Sequence, residues 1–478
     1  MQSEEYCSYD ALGLSDLVRK GDVKEEEVFK LATDLVKKVN EDLKAVSEFY
    51  EYETASSVMS GSGVFKGVPF PIKDITVGIK GFREDNGSRL AEGYIVPETS
   101  YFMERILGSG LMPLCRTTCP EFGLTLSTES ILTGATRNPW NTNRIAGGSS
   151  GGSGALVAAG AVPIAHANDG GGSIRVPAAI NGNVGLKHSR GRVSHAPDFS
   201  DLTMPLVTQG ANARSVRDVA ALLDVVSGYA PGEATIPPPD TIRYLDEVKK
   251  EPKGLKIALC LAQWSKNPVN DVIQEKTREI GKQCEELGHH VEETAPDIDG
   301  ESYVETMKGL WSVLAASVIM NSSMIMGRSV SLDYLEPMSL RLCENGLSKS
   351  ALDYVVLMQQ AHNITRVLGR FFESYDLILT PTLAQPTPEI GSRVRLAVDE
   401  ELDPWFDYLG DIVPYTPLAN LTGVPAITLP LCEGQGGLPL GMQFMAAIGR
   451  EDLLFRISGQ LEKALPWKNR KPSIWAAS

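Results

Sequence analysis

The chain has 478 residues, 42% of them apolar, and a formal net charge of −15. That charge argues against nucleic acid or an anionic membrane as a partner, and the length suffices for a large buried core. Cysteines 7, 115, 119, 260, 284, 343 and 432 are odd in number and irregularly spaced, as in a reduced, cytoplasmic chain; Cys115 and Cys119 are the one close pair and no second Cys/His pair stands at zinc-ligand spacing, so no metal is expected.

The first residues, M-Q-S-E-E-Y-C-S-Y-D, lack the basic and apolar regions of a signal peptide. Residues 8–60 read as helical, packed on a later core. Val64–Thr76 reads as a turn and a short strand ending at Lys73-Asp74. A helix is predicted near Ser100–Leu107 with Gly108 as its stop, then a strand over Leu111–Cys115 and loops over Thr117–Thr142. Ala155–Ala159 suits a small-residue helix, Val162–Ala165 a buried strand, the residues from Ser173 to Ile180 a short helix, and Asn183–Lys187 a strand. Ser215 is a good N-cap for a helix reaching Val226. Pro231–Pro239 is linker-like.

Beyond it, Lys256–Ala262, Asp271–Leu287 and His290–Glu293 form a β-α-β pattern, which predicts parallel pairing. Residues 300–370 read as mostly helical. Strands follow over Tyr375–Thr380, Ala426–Leu431 and Leu438–Met445, with a closing helix over Arg450–Leu465. This alternation of strands and helices predicts the α/β class. The longest apolar stretch, Gly154–Ala167, is too short for a membrane span and contains Pro163, so none is expected.

The most distinctive stretch is Asn143–Arg175. Two glycine- and serine-rich loops, Gly147–Gly154 and Gly170–Ser173, bracket an apolar run. Glycine clusters let a backbone approach another group closely, as an oxyanion hole or an anion nest requires. Phosphate binding fits poorly, because no lysine lies between Asn143 and Arg175. A dinucleotide fingerprint needs a preceding strand, and Asn141–Arg144 is not one. The same objection weakens Gly147–Gly151 (G-G-S-S-G) as a nucleophile elbow, although its letters match.

A serine nucleophile needs a base. Six histidines stand at 166, 188, 195, 289, 290 and 362, of which His289 and His290 look like surface residues at a helix end. Lysine is the other established base, provided burial keeps its amine neutral. Lys73 follows the apolar run Val68–Ile72, so it points either into water or into a dry pocket.

Taken together, these pieces resemble the amidase signature family. The resemblance rests on G-V-P-F-P-I-K-D at 67–74, G-A-T-R-N-P-W-N at 134–141, the loop 147–154 and D-G-G-G-S-I-R at 169–175. G-L-K at 185–187 with G-R-V-S at 191–194, Y-D-L-I-L-T-P-T at 375–382 and L-T-G-V-P-A-I-T-L-P at 421–430 extend it over about residues 8–470. It implies a single α/β/α domain over 1–478 with a mixed, largely parallel central sheet. The N-terminal helices 8–60, a catalytic core 61–230 and a variable helical pocket region 300–410 would divide it.

It further implies an amide hydrolase working through a serine acyl-enzyme. Ser173 would be the nucleophile, Ser149 the bridging serine next to a cis peptide bond, and Lys73 the base. The N–H groups of Gly170, Gly171, Gly172 and Ser173 would hold the oxyanion. Asp169 and Arg175 would pair across the loop and brace it, or stand separately solvated. No cofactor is expected. The partner would be a small-molecule amide, and the protein a homo-oligomer, a dimer.

Two departures from the family pattern stand at Arg116–Pro120 (R-T-T-C-P) and at His188-Ser189, and neither is expected to touch the three residues. Residues 213–228 and 449–467 are similar to the branch that hydrolyses 6-aminohexanoate cyclic dimers, the nylon oligomers. Two other functions stay open: the amidase subunit of a tRNA-dependent amidotransferase, and a non-catalytic protein on the same scaffold.

Overall fold

The strands pair into one eight-stranded sheet in the computed structural model, which describes residues 1–201, 205–233, 235, 242–262 and 264–478. Across the sheet the order is His290–Glu293, Lys256–Leu259, Leu377–Pro381, Pro439–Ala446, Ala426–Glu433, Val184–Lys187, Thr208–Ala213 and Ile164–Asp169. Helices cover it, in keeping with the α/β expectation. The β-α-β unit pairs in parallel as predicted, and Leu377–Pro381 continues that arrangement.

Every other neighbouring pair in this sheet is antiparallel. The sheet is therefore mixed but not largely parallel. Ala426–Glu433 and Pro439–Ala446 are joined by a tight turn, which permits only antiparallel pairing. The helix Arg175–Asn181 does not cross between neighbours, because Thr208–Ala213 lies between the strands on either side of it.

A second, three-stranded sheet places Leu111–Thr117 between Val46–Phe49 and Val68–Lys73. Val46–Phe49 falls inside the region read as helical. Four residues at a sheet edge are too few to show a period of two. Val68–Lys73 is buried at all six positions and packs beside Ile164–Asp169. Lys73 closes its strand opposite Thr117, so the lysine ends inside the protein.

The helix Tyr101–Ser109 is capped by Ser100 and ends at Gly110, two residues later than Gly108 suggested. Ser215 caps Val216–Val226 by accepting from the Asp218 N–H. His289 is buried, with Nε2 against Gln460 Oε1 at 2.8 Å, so it is not a surface residue. Most of the linker-like segment 231–239 lies outside the described residues. The helix Gly300–Met326 is, among the described residues, the one long and apolar enough to cross a membrane. Here it packs against Pro337–Leu347 and Ala351–Phe371.

Candidate active site

Three neighbouring strands and two glycine turns converge at one end of Ile164–Asp169. Lys73 arrives from the end of Val68–Lys73. Ser149 sits at the turn leading into the helix Gly151–Ala158, with the Gly148–Ser149 peptide cis. Ser173 stands at the turn between Asp169 and the helix Arg175–Asn181. Lys73 Nζ lies 2.6 Å from Ser149 Oγ and 2.5 Å from Asn168 Oδ1. The lysine has no accessible surface and makes no ion pair among the described residues. Burial therefore brings its amine down to about 7, against weaker upward pulls from Cys119 and Asp169.

Hydrogen bonds hold the other end of this lysine too. Its main-chain N–H donates to His166 Nδ1 at 3.2 Å, and its carbonyl accepts from Arg116 Nη1 at 3.1 Å. The departure at Arg116 thus does touch the lysine, contrary to expectation. The other departure reaches it indirectly, because His188 Nε2 meets the carbonyl of Gln209, whose side chain meets His166. Burial pushes His166 down to about 3, so the ring is neutral at ordinary pH.

The loop that carries Ser173 is braced by charge. Arg175 and Asp169 are both fully buried and paired, Nε to Oδ2 at 2.9 Å and Nη2 to Oδ1 at 3.0 Å. Arg175 also donates to Gln443 Oε1 and Asn420 Oδ1, each at 2.6 Å. Burial alone would push the Asp169 carboxyl up. The Arg175 guanidinium, together with donors from Asn420 and Ile174, holds it at about 2 instead. The suggested pairing across the loop is thus formed.

Asp169 Oδ1 takes the N–H of Gly172 at 2.7 Å. That engagement removes Gly172 from the expected set of oxyanion donors and leaves Gly170, Gly171 and Ser173. Glycine is required at 172: φ is +134°, and a Cβ there would sit 2.5 Å from Thr416 Oγ1.

Ser173 borders two cavities. An inner one of about 90 Å³ is lined by Leu124, Trp264, Tyr303, Met307, Trp311, Phe406, Leu409 and Val413, among others, with no charged side chain. An outer one of about 470 Å³ contains Ser149, Asn168, Thr76, Glu84 and Tyr94. Trp311 stands on the border of both, its indole N–H on the Leu124 carbonyl at 3.1 Å. Much of the inner wall falls in residues 300–410, where sequence alone named no pocket residue.

Asn168, Thr76 and Gln209 were not anticipated. The signal available for Asn168 was its place next to Asp169. Thr76 and Gln209 had none, since their roles follow from strand register and a left-handed turn.

The family model "Amidase" matches residues 28–455. A 6-aminohexanoate-cyclic-dimer hydrolase of Paenarthrobacter ureafaciens is 35% identical, covering 97% of this chain and 96% of that protein. A putative amidase AmiC of Mycobacterium bovis is 37% identical, covering 96% and 95%. The solved structure of a 6-aminohexanoate cyclic dimer hydrolase superposes with a TM-score of 0.91 at 32% identity, over 98% of this chain and 99% of that one. With the two serine loops, the buried lysine and this match over nearly its whole length, the chain belongs to the amidase signature family and is an amide hydrolase acting on carbon–nitrogen bonds.

Proposed function

We propose that Lys73, Ser149 and Ser173 form a catalytic triad that hydrolyses uncharged amides through a serine acyl-enzyme. The observation that carries this is a buried amine without an ion partner, 2.6 Å from Ser149 Oγ. As Ser173 Oγ attacks the carbonyl carbon, its proton passes to Ser149 and the Ser149 proton passes to Lys73. The oxyanion that forms is held by main-chain N–H groups of Gly170, Gly171 and Ser173. The C–N bond then breaks, and the proton returns from Lys73 through Ser149 to the departing nitrogen. Water cleaves the acyl-enzyme by the same relay.

For the substrate we favour cyclic or linear 6-aminohexanoate oligomers. The full-length relatives support this, and so does the inner cavity, whose apolar, uncharged wall suits a methylene chain. The same wall offers no partner to the charged groups of glutamine, which counts against an amidotransferase subunit. A cytoplasmic homodimer accompanies this proposal, supported by composition and family resemblance and checked by light scattering.

The test is a panel of cyclic and linear amides incubated with the purified protein, with product masses as the readout. Ser173→Ala abolishes turnover and fluorophosphonate labelling. Ser149→Ala loses about 10²- to 10⁴-fold, the range of a lost acid–base step. An adduct mapped to Ser149 in the unmodified protein would reverse the two roles.

A further inference from the structure

We propose that His166, Gln209, Thr76 and Asn168 are positioning residues that close a ring of hydrogen bonds on Lys73, and that the ring's lack of charge keeps the lysine amine a base. This rests on Lys73 being the base.

The ring runs from the lysine's main chain back to its side chain. Lys73 N–H donates to His166 Nδ1, and His166 Nε2 meets Gln209 Oε1 at 3.1 Å. Gln209 Nε2 donates to Thr76 Oγ1 at 3.1 Å, and Asn168 Nδ2 donates to the same oxygen at 2.7 Å. Asn168 Oδ1 then faces Lys73 Nζ at 2.5 Å.

One fixed donor sets the directions. A main-chain N–H can only donate, so His166 Nδ1 is bare, and the neutral ring carries its proton on Nε2. Gln209 must therefore turn its oxygen to the histidine and its nitrogen to Thr76.

The fold supplies the placement. Asn168 and Gln209 are direct partners across antiparallel strands, and His166 lies two residues from Asn168 on the same face. Thr76 has a φ of +62°, so the chain turns back after Lys73 and brings the hydroxyl to these side chains.

The chemistry follows from counting sites on the amine. A neutral lysine has two N–H groups and one lone pair. With one N–H on Asn168 Oδ1, the lone pair is left for the Ser149 hydroxyl at 2.6 Å. The charged and titratable groups nearby do not supply a counter-ion. Asp169 is paired with Arg175, Arg116 meets the carbonyls of Lys73 and Val77 and the Glu84 carboxylate, Asp74 takes the Asp85 N–H, and the Cys119 thiol rests on the Asp74 carbonyl. A carboxylate in place of the Asn168 amide would hold the lysine as an ammonium and remove the lone pair.

Asn168→Asp tests this with almost no change of shape. The readout is the rate of Ser173 labelling by a fluorophosphonate as a function of pH. We expect the midpoint of its rise to move alkaline by about one unit or more, with labelling restored above it. An unmoved midpoint overturns the proposal, whether or not the rate falls, because a merely structural role lowers labelling at every pH. Thr76→Val adds no charge and removes the shared acceptor. It should slow labelling about tenfold, as for a lost buried hydrogen bond, and an unchanged rate likewise overturns the ring. If Lys73→Arg labels like the unmodified protein, the lysine is not the base and the triad itself fails. If Lys73→Arg is inert while Asn168→Asp leaves the midpoint in place, only the ring fails.

Discussion

Two buried polar clusters flank Ser173, and they solve burial in opposite ways. On one side the Lys73 amine meets only uncharged partners and is brought down to about 7. On the other side Asp169 meets Arg175 and remains a carboxylate, at about 2. Neither cluster has measurable exposure at its charged residues. The difference teaches that depth alone does not set charge state. An ion keeps its charge in a dry site only if a counter-ion comes with it; without one it gives the charge up. The proposed mechanism needs a reactive neutral group on one side and a rigid charged one on the other, and the partners match those needs.

The strongest way to break this contrast is to put a permanent charge on the neutral side. Lys73→Arg should lose roughly 10⁴-fold or more in turnover, because guanidinium stays protonated and cannot accept the relay proton. Near-normal kcat would refute the assignment of the base. Next in size, Arg175→Met leaves Asp169 buried without its partner. It should cost about 3–5 kcal/mol of stability, read from denaturant midpoints. Adding Asp169→Asn should recover part of that loss; no recovery would mean the two residues are not coupled.

The smallest effect separates the two sides by pH. Turnover of the unmodified enzyme should fall about tenfold per unit below the lysine's value near 7 and plateau above it. Stability should rise with pH in two separate windows. Between about 2 and 4 the unfolded Asp169 holds a proton that the folded one lacks. Between about 7 and 10 the same is true of Lys73. Lys73→Met should reduce the rise in the upper window, which the equally buried Lys187 shares, and leave the lower window unchanged.

Legibility in the sequence followed the same division. The glycine loops, the buried lysine strand and the Asp169–Arg175 pair were accessible because each is written within a few consecutive residues. The strand Thr208–Ala213 was not, because T-Q-G-A-N-A has no apolar alternation, although all six positions are buried. Gln209 enters the site only through that strand's register with Ile164–Asp169. Gly172 seemed a free amide, since no local pattern shows that Asp169 takes its N–H three residues away. The inner pocket was hidden for a different reason: its walls come from helices whose apolar faces look alike whether they meet a core or a cavity.

The partners of Arg175 also say when the enzyme becomes whole. Every member of the lysine ring, with both serines, is present once the ribosome has delivered residue 209. The brace on the Ser173 loop is not, because Asn420 and Gln443 come more than two hundred residues later. A chain cut short between those points would contain every residue of the ring and both serines, with Arg175 still missing two of its partners. The residues proposed for the reaction are thus all written early, and the brace on their loop is completed last.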